Sequence, residues 1–344
     1  MHFQFFLPEQ KKQQDYSKKE YYLKPKIFVT RSLPQPAMDQ LKLHFELKVN
    51  PQDRVLSKEE IIEGTKWCDI LLCLLTDTID KEIISCNPAL KAIVNYAVGY
   101  NNIDIETATR LNIPVTNTPG VLTETTADMA WALMFSVARK IVESDRYNRE
   151  GKFKGWGPMH FLGGDIYGKI LGIIGTGRIG TAVAKRAAGF NVKIMYVDKN
   201  NEIEKKMKAE KVGLDELLKR SDFVSLHVPL LPETKHLIGE KELKLMKKTA
   251  YLINTARGAV IDEKVLVKAL KEEWIAGAGL DVYENEPLLT DGLKECWNAV
   301  LAPHIASASI ETRTKMGLIV AENAIAVIEG KIPPQIVNPQ VLKK

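Results

Sequence analysis

The chain is predicted to be an α/β protein made of two doubly wound parallel-sheet domains, and three observations lead there. Short apolar runs alternate with helical segments along nearly the whole length, which lays strands parallel and covers both sheet faces with helices. A glycine-rich turn, Gly175-Thr176-Gly177-Arg178-Ile179-Gly180, separates the apolar run Lys169–Ile174 from the helical run Thr181–Ala188. The 344 residues exceed what one ordinary hydrophobic core organises and suit two.

Taken in order, Met1–Leu23 are polar, rich in Lys and Gln and without sustained period, so residues 1–24 are expected to be an extension on which function does not depend. From Lys26-Ile27-Phe28-Val29 the pattern becomes strand and helix: helix Ala37–Phe45, strand Phe45–Val49, helix Lys58–Gly64 and strand Ile70–Leu74. Lys81–Ser85, Lys91–Asn95, Ile105–Leu111 and the short strand Val115–Asn117 complete a small open domain. Thr118-Pro119-Gly120 interrupts this pattern, and Thr123–Gly151 reads as one long helix, with Thr123 as N-cap, Glu124 and Asp128 in its first turns and Gly151 past its end. An aromatic, glycine-rich loop, Trp156–Gly164, follows. The second domain then runs through strands Lys169–Ile174, Val192–Val197, Phe223–His227, Ala250–Ile253, Ala276–Leu280 and Ala299–Leu301. The tail Ile310–Glu329 is helical again and could return to the first domain.

The glycine turn carries the first functional reading. Gly175 allows the tight strand-to-helix turn, Gly177 lets a pyrophosphate approach the backbone, and Gly180 lets helix pack on strand; the phosphates face the positive end of the helix. Asp198 follows Gly180 at about the 20-residue spacing of a Rossmann dinucleotide site. A carboxylate there accepts hydrogen bonds from both ribose hydroxyls and repels a 2′-phosphate, so NAD(H) is expected over NADP(H), with Lys199 offsetting part of that repulsion. The first domain is the smaller and flavodoxin-like one.

Composition narrows the alternatives. Hydrophobic content of 45%, charged content of 26% and a net charge of +5 describe a soluble globular protein. Much of the positive charge lies in Lys11, Lys12, Lys18, Lys19, Lys24 and Lys26, which is no nucleic-acid footprint. Cys68, Cys73, Cys86 and Cys296 lack the paired spacing of a zinc site or disulfide frame, so reduced thiols, no metal and a cytoplasmic location are expected. No apolar run approaches the roughly 18 residues that would span a bilayer, and Phe3–Leu7 is too short for the core of a signal peptide.

Three polar residues stand at the ends of predicted strands in the second domain: Arg257, Glu286 and His304. Ligands bind at the carboxyl ends of strands in such sheets. A guanidinium grips a carboxylate with two parallel hydrogen bonds, an imidazole exchanges a proton near neutral pH, and an acid beside the imidazole favours its protonated form. Hydride transfer to a 2-oxo acid needs those three parts. Each residue alone also reads as a solvated charge or a structural histidine; their common placement in one nucleotide-binding sheet favours the site. His227 is a rival base, read as lining the adenine side, and Asp281 reads either as a neighbour of the nicotinamide or as a cap on the turn that follows it.

The segments Asn254-Thr255-Ala256-Arg257-Gly258, Ala276–Pro287 and Pro303-His304-Ile305-Ala306-Ser307-Ala308 closely resemble the signature segments of the D-isomer-specific 2-hydroxyacid dehydrogenases, and the similarity extends over about Pro25–Pro339. Asn95–Asp104, Thr118–Thr123 and Phe161-Leu162-Gly163 look most like the glyoxylate/hydroxypyruvate reductase branch. The resemblance implies that Arg257 binds the substrate carboxylate and carbonyl oxygen, that His304 protonates the alkoxide and that Glu286 hydrogen-bonds His304. It implies that the backbone at Val98 and Gly99 receives the carboxylate, with Leu75 on the opposite pocket wall. Arg178, Ile179, Val228, Pro229, Thr255, Ala256, Asp281 and Asp198 match positions that contact the dinucleotide. It further implies a substrate domain of residues 25–120 and 307–344, a nucleotide domain of residues 121–306, and a homodimer built through the long helix and loop at 121–165. Two departures stand out. Glyoxylate reductases often carry Trp where this chain has His160, which bears on pocket selectivity, and the chain ends at Lys344 without the regulatory domains of long phosphoglycerate dehydrogenases. A short D-3-phosphoglycerate dehydrogenase is the alternative enzyme; an NAD-sensing scaffold like the transcriptional corepressors that share this fold is the alternative outside enzymes. Glu286 stands where formate dehydrogenases use Gln.

Overall fold

Five short strands form the first sheet, the central strands Ile70–Leu74 and Ala92–Tyr96 apolar on both faces and the edge strand Glu46–Val49 on one. In the computed structural model, which describes residues 24–198, 203 and 207–342, they are β1 (Lys26–Val29), β2 (Glu46–Val49), β3 (Ile70–Leu74), β4 (Ala92–Tyr96) and β5 (Val115–Thr116), all parallel in the order β2-β1-β3-β4-β5. The segment Met1–Leu23 and Lys199 lie outside the described residues. Because side chains alternate across a strand, Ile27, Val29, Ile70, Leu72 and Val94 enter one core, while Phe28, Leu71, Cys73 and Ile93 enter another on the opposite face. Helices α1 (Gln35–His44), α2 (Lys58–Trp67), α3 (Lys81–Ser85) and α4 (Ile105–Arg110) cover those faces. Ser57, Asp80 and Asp104 each accept a hydrogen bond from a first-turn amide of the helix they precede, which sets where α2, α3 and α4 begin.

The segment expected as one long helix is two. α5 (Thr123–Ala138) ends at Arg139, Lys140 takes a left-handed conformation (φ 52), and α6 (Ile141–Arg149) restarts in a new direction. The Ala138 carbonyl accepts the Gly164 amide at 2.9 Å, so the aromatic loop captures an end carbonyl of α5 that a continuous helix would have used. Nor is Thr123 the N-cap: that position belongs to Leu122, and no side chain caps the helix.

The second sheet holds β6 (Ile170–Ile174), β7 (Lys193–Val197), β8 (Glu210–Lys211), β9 (Phe223–Leu226), β10 (Tyr251–Asn254), β11 (Gly277–Leu280) and β12 (Ala299–Leu301). All are parallel, in the order β12-β11-β10-β9-β6-β7-β8. Strand order reverses between β6 and β9, which opens a crevice at their carboxyl ends. Helices α7 (Arg178–Ala187), α8 (Leu214–Arg220), α9 (Glu240–Leu245) and α10 (Glu263–Lys271) lie on this sheet together with α5.

The last helix, α11 (Ile310–Ile328), leaves the second sheet and packs Met316, Val320, Ala321 and Ala324 into the core that holds Ile27, Val29 and Leu41. Tyr96 donates its hydroxyl proton to the Arg313 carbonyl at 2.7 Å. Beyond α11, Ile336 bridges Thr116, and the buried Asn338 accepts from the Val115 amide and donates to the Ile113 carbonyl. The chain therefore crosses between the two sheets twice, at residues 117–122 and again before α11.

Candidate active site

The glycine turn is shaped for close approach. Gly175 has φ 92, and a Cβ there would stand 2.6 Å from the His227 carbonyl oxygen; a Cβ on Gly180 would collide with the Gly175 carbonyl. Gly177 is the N-cap of α7, and a Cβ on it would meet nothing within 4 Å, so the approach to the helix N-terminus is open at that residue. Helix α7 starts at Arg178 rather than Thr181, so Arg178, Ile179 and Gly180 already belong to its first turn. Asp198, just beyond β7, accepts the Thr176 amide, which ties the acid to the turn it serves. The hydroxyls of Thr176 and Thr255, buried at the ends of β6 and β10, have no hydrogen-bond partner among the described residues. An open helix N-terminus, a backbone cradle and two buried hydroxyls lacking partners fit a dinucleotide lying across the switch point.

The remaining sequence-selected residues rim the same crevice. Val228 and Pro229 follow β9, Thr255 and Ala256 follow β10, and Asp281 follows β11. His227 adjoins Gly175 and contacts Ser225 Oγ through Nε2 at 2.8 Å; burial pushes its pKa down to about 4, so it is neutral near pH 7 and no proton donor there.

Arg257 is held by a buried residue that sequence reading passed over. Asn254, the last residue of β10, accepts the Ala256 amide and donates to the Arg257 carbonyl, each at 2.9 Å, which fixes the turn that carries the guanidinium. Burial lowers the Arg257 pKa, against a smaller raising effect from Glu286. Across the crevice Arg257 faces the first sheet: a Cβ on Gly99 would collide with Arg257 Nη2. Val98 and Gly99 follow β4, and Leu75, 42% exposed, follows β3.

His304 and Glu286 form a pair, Nδ1 to Oε2 at 2.8 Å. Glu286 also accepts the Tyr283 amide at 2.9 Å through Oε1. Burial alone would raise the Glu286 pKa, but the His304 hydrogen bond and charge, the Tyr283 amide and Arg257 outweigh it and leave it lowered. Glu286 is thus ionised at neutral pH, and its carboxylate takes up the Nδ1 edge of His304, so that Nε2 has no side-chain partner among the described residues. The loop beneath is held by another residue the sequence did not single out: Glu263, only 1% exposed, accepts the Glu284 amide at 2.6 Å and the Thr290 hydroxyl at 2.7 Å.

Asp281 does not cap the turn that follows it. Its two oxygens accept the amides of Ile305 and Ala306 at 2.7 and 2.8 Å, so it anchors the backbone just after His304. His160 stands apart from this group, exposed on the aromatic loop, with its ring 6.4 Å from that of Tyr147.

Comparison with known proteins assigns a family. The sequence model for "D-isomer specific 2-hydroxyacid dehydrogenase, NAD binding domain" matches residues 131–306. The chain belongs to the D-isomer-specific 2-hydroxyacid dehydrogenases. A glyoxylate reductase of Korarchaeum cryptofilum is 55% identical over 93% of this chain and 98% of its own length. A solved structure of a Thermus thermophilus protein superposes with a TM-score of 0.86 at 43% identity, covering 91% of this chain and 99% of that one. An NADPH-dependent glyoxylate/hydroxypyruvate reductase from Sinorhizobium meliloti, solved with NADP and malonate, superposes with a TM-score of 0.80 at 29% identity, covering 92% and 98%. As a member of this family the protein is an oxidoreductase that acts on the CH–OH group of 2-hydroxy acids, binds NAD(H) in its second sheet and reduces a 2-oxo acid in the reverse direction.

Proposed function

We propose that the enzyme reduces glyoxylate or hydroxypyruvate with NADH to the 2-hydroxy acid, the D-isomer where C2 becomes a stereocentre, with Arg257, Glu286 and His304 as its working side chains. The observation that carries this reading is the convergence of the paired Glu286–His304 and the buried Arg257 on the crevice opposite Val98 and Gly99. Arg257 and the Val98–Gly99 backbone bind the substrate carboxylate, and Leu75 closes the far wall. When bound, the nicotinamide supplies a hydride to C2. His304 gives a proton to the C2 oxygen, and Glu286 holds the imidazole in the orientation that allows it. Gly175, Gly177, Arg178, Ile179, Gly180, Val228, Pro229, Thr255, Ala256 and Asp281 line the dinucleotide, and Asp198 selects NAD over NADP by repelling a 2′-phosphate.

Residues 25–120 with 307–344 act as a lid over residues 121–306, closing to exclude water. The exposed Trp156, Met159 and Leu162, with Ile141 and Val142 on α6, support a homodimer through 121–165, which light scattering tests. Unpaired buried cysteines support a cytoplasmic enzyme, to be checked by fractionation. The deciding assay follows oxidation of NADH and NADPH with glyoxylate, hydroxypyruvate, pyruvate and phosphohydroxypyruvate. NADH with either of the first two is expected to give the highest kcat/KM; a clear preference for phosphohydroxypyruvate would overturn the substrate reading, and one for NADPH the cofactor reading.

A further inference from the structure

Between β4 and α4 three successive peptide groups, those joining Ala97 to Tyr100, have their carbonyls drawn back into the first sheet's own framework. The Ala97 carbonyl accepts the Thr118 amide at 2.8 Å, the Val98 carbonyl accepts Asn117 Nδ2 at 2.7 Å, and the Gly99 carbonyl accepts Asn95 Nδ2 at 2.9 Å. In a trans peptide the carbonyl and the following N–H point in opposite directions. Fixing these three oxygens therefore turns the amides of Val98, Gly99 and Tyr100 away from their holders, and among the described residues none of those amides donates to an acceptor. Successive amides freed in this way form an anion-binding concavity, and the Arg257 guanidinium lies against it at Gly99.

Both asparagines are out of the solvent: Asn95 is fully buried and Asn117 is 8% exposed. A buried side-chain amide is stable only when its polar atoms are used, so these two are committed to their carbonyls. Asn117 is itself braced, its carbonyl accepting Asn323 Nδ2 from α11 at 3.5 Å. The same set reaches the opposite wall of the pocket. Asn95 Nδ2 meets Asn102 Oδ1 at 3.5 Å, and Asn102 donates to the carbonyls of Leu74 and Asp77, which flank the Leu75 loop.

We propose that Asn117 and Asn95 are positioning residues that aim the backbone amides of residues 98–100 at the substrate carboxylate, and so set the affinity for 2-oxo acids without touching the substrate. This rests on the proposal that the Val98–Gly99 backbone receives that carboxylate.

The test uses the full-length enzyme and the variants Asn117→Asp, which keeps the shape but removes the donor, Asn117→Ala and Asn95→Asp. NADH affinity, KM and kcat for glyoxylate, and the Kd of oxamate for the NADH-bound enzyme are measured, oxamate serving as an unreactive isostere of the substrate carboxylate. KM and the oxamate Kd should each rise about tenfold, the worth of one charge-assisted hydrogen bond, while kcat stays within about threefold and NADH affinity is unchanged. Should the Asn117 variants fail to bind NADH, Asn95→Asp decides alone. Variants that bind NADH and oxamate normally overturn the proposal. Gly99→Ala separates it from its foundation, because a methyl group there collides with Arg257 Nη2 and drives the guanidinium off the Val98–Gly99 backbone, breaking the carboxylate site while leaving both asparagines intact. If Gly99→Ala still binds oxamate, the carboxylate site itself has been misplaced; if it does not, while the asparagine variants do, only the positioning role falls.

Discussion

Removing the Asp281 carboxylate should loosen the His304 loop, and the structure sets the size of the effect. Asp281 is fully buried, and its two oxygens take the amides of Ile305 and Ala306 at 2.7 and 2.8 Å. In Asp281→Ala both amides lose their acceptor. A buried donor left unsatisfied costs about 1–3 kcal/mol, and Ile305 is the more exposed of the two, so the sum is about 2–4 kcal/mol. Burial pushes the Asp281 pKa up, so relief of a buried charge returns part of this. For a unit of this size that is a fall of roughly 5–10 °C in the melting of the second sheet's lobe. Since His304, with φ 53, precedes the anchored amides, its ring should lose register, and a displacement of about 1 Å costs up to roughly 100-fold in kcat. Calorimetry of the enzyme without cofactor and steady-state NADH oxidation read both effects, with Asp281→Asn intermediate because it keeps one oxygen. A variant with unchanged melting and kcat but weakened NADH binding would refute the anchoring role and leave Asp281 as a dinucleotide contact alone.

Other expectations follow from the same geometry. His304→Asn should lower kcat by about 100-fold or more with NADH affinity intact, whereas Arg257→Lys, which loses the two-pronged grip on the carboxylate, should chiefly raise KM, by about tenfold; fluorescence titration and initial rates separate them. His227 has its pKa pushed down by burial from 6.5 to about 4, so between those values the unfolded chain holds a proton that the folded one does not. Stability should therefore fall as pH drops through that window, by at most about 3 kcal/mol, and His227→Gln should flatten the fall in urea titrations. Asp198→Ala should lower the NADH-to-NADPH ratio of kcat/KM by about tenfold and, because Asp198 also accepts the Thr176 amide, weaken NADH binding as well.

What the sequence reveals depends on how local the cause is. The central strands of both sheets are legible because they are apolar on both faces, and the nucleotide turn because its glycines answer to contacts within a few residues. β8, two exposed residues at Glu210–Lys211, carries no apolar signal. The break at Lys140 is invisible because Arg139 and Lys140 suit a helix; the Gly164 amide that captures Ala138 comes from a distant loop. Arg257, Glu286 and His304 stand out in the sequence as polar residues that follow predicted strands. The residues that hold their surroundings, Asn254, Glu263, Asn95 and Asn117, are not, because a buried amide or carboxyl looks like any surface polar residue until its partners are known. Asp281 belongs to both groups: its position at a strand end is read correctly, while its anchoring of the Ile305 and Ala306 amides emerges only in three dimensions.

The return of α11 to the first sheet imposes an order on how the chain is completed during synthesis. The core around Ile27, Val29 and Leu41 is finished by Met316, Val320, Ala321 and Ala324, which leave the ribosome about 200 residues after β5. At about 5–20 residues per second the half made first waits roughly 10–40 s for its last wall, while the second sheet can close in the interval. Until then that face of the first sheet is covered by α1 alone, so this early-made region is the one most exposed to misassociation, and a nonsense mutation near the end of the gene would damage the beginning of the protein.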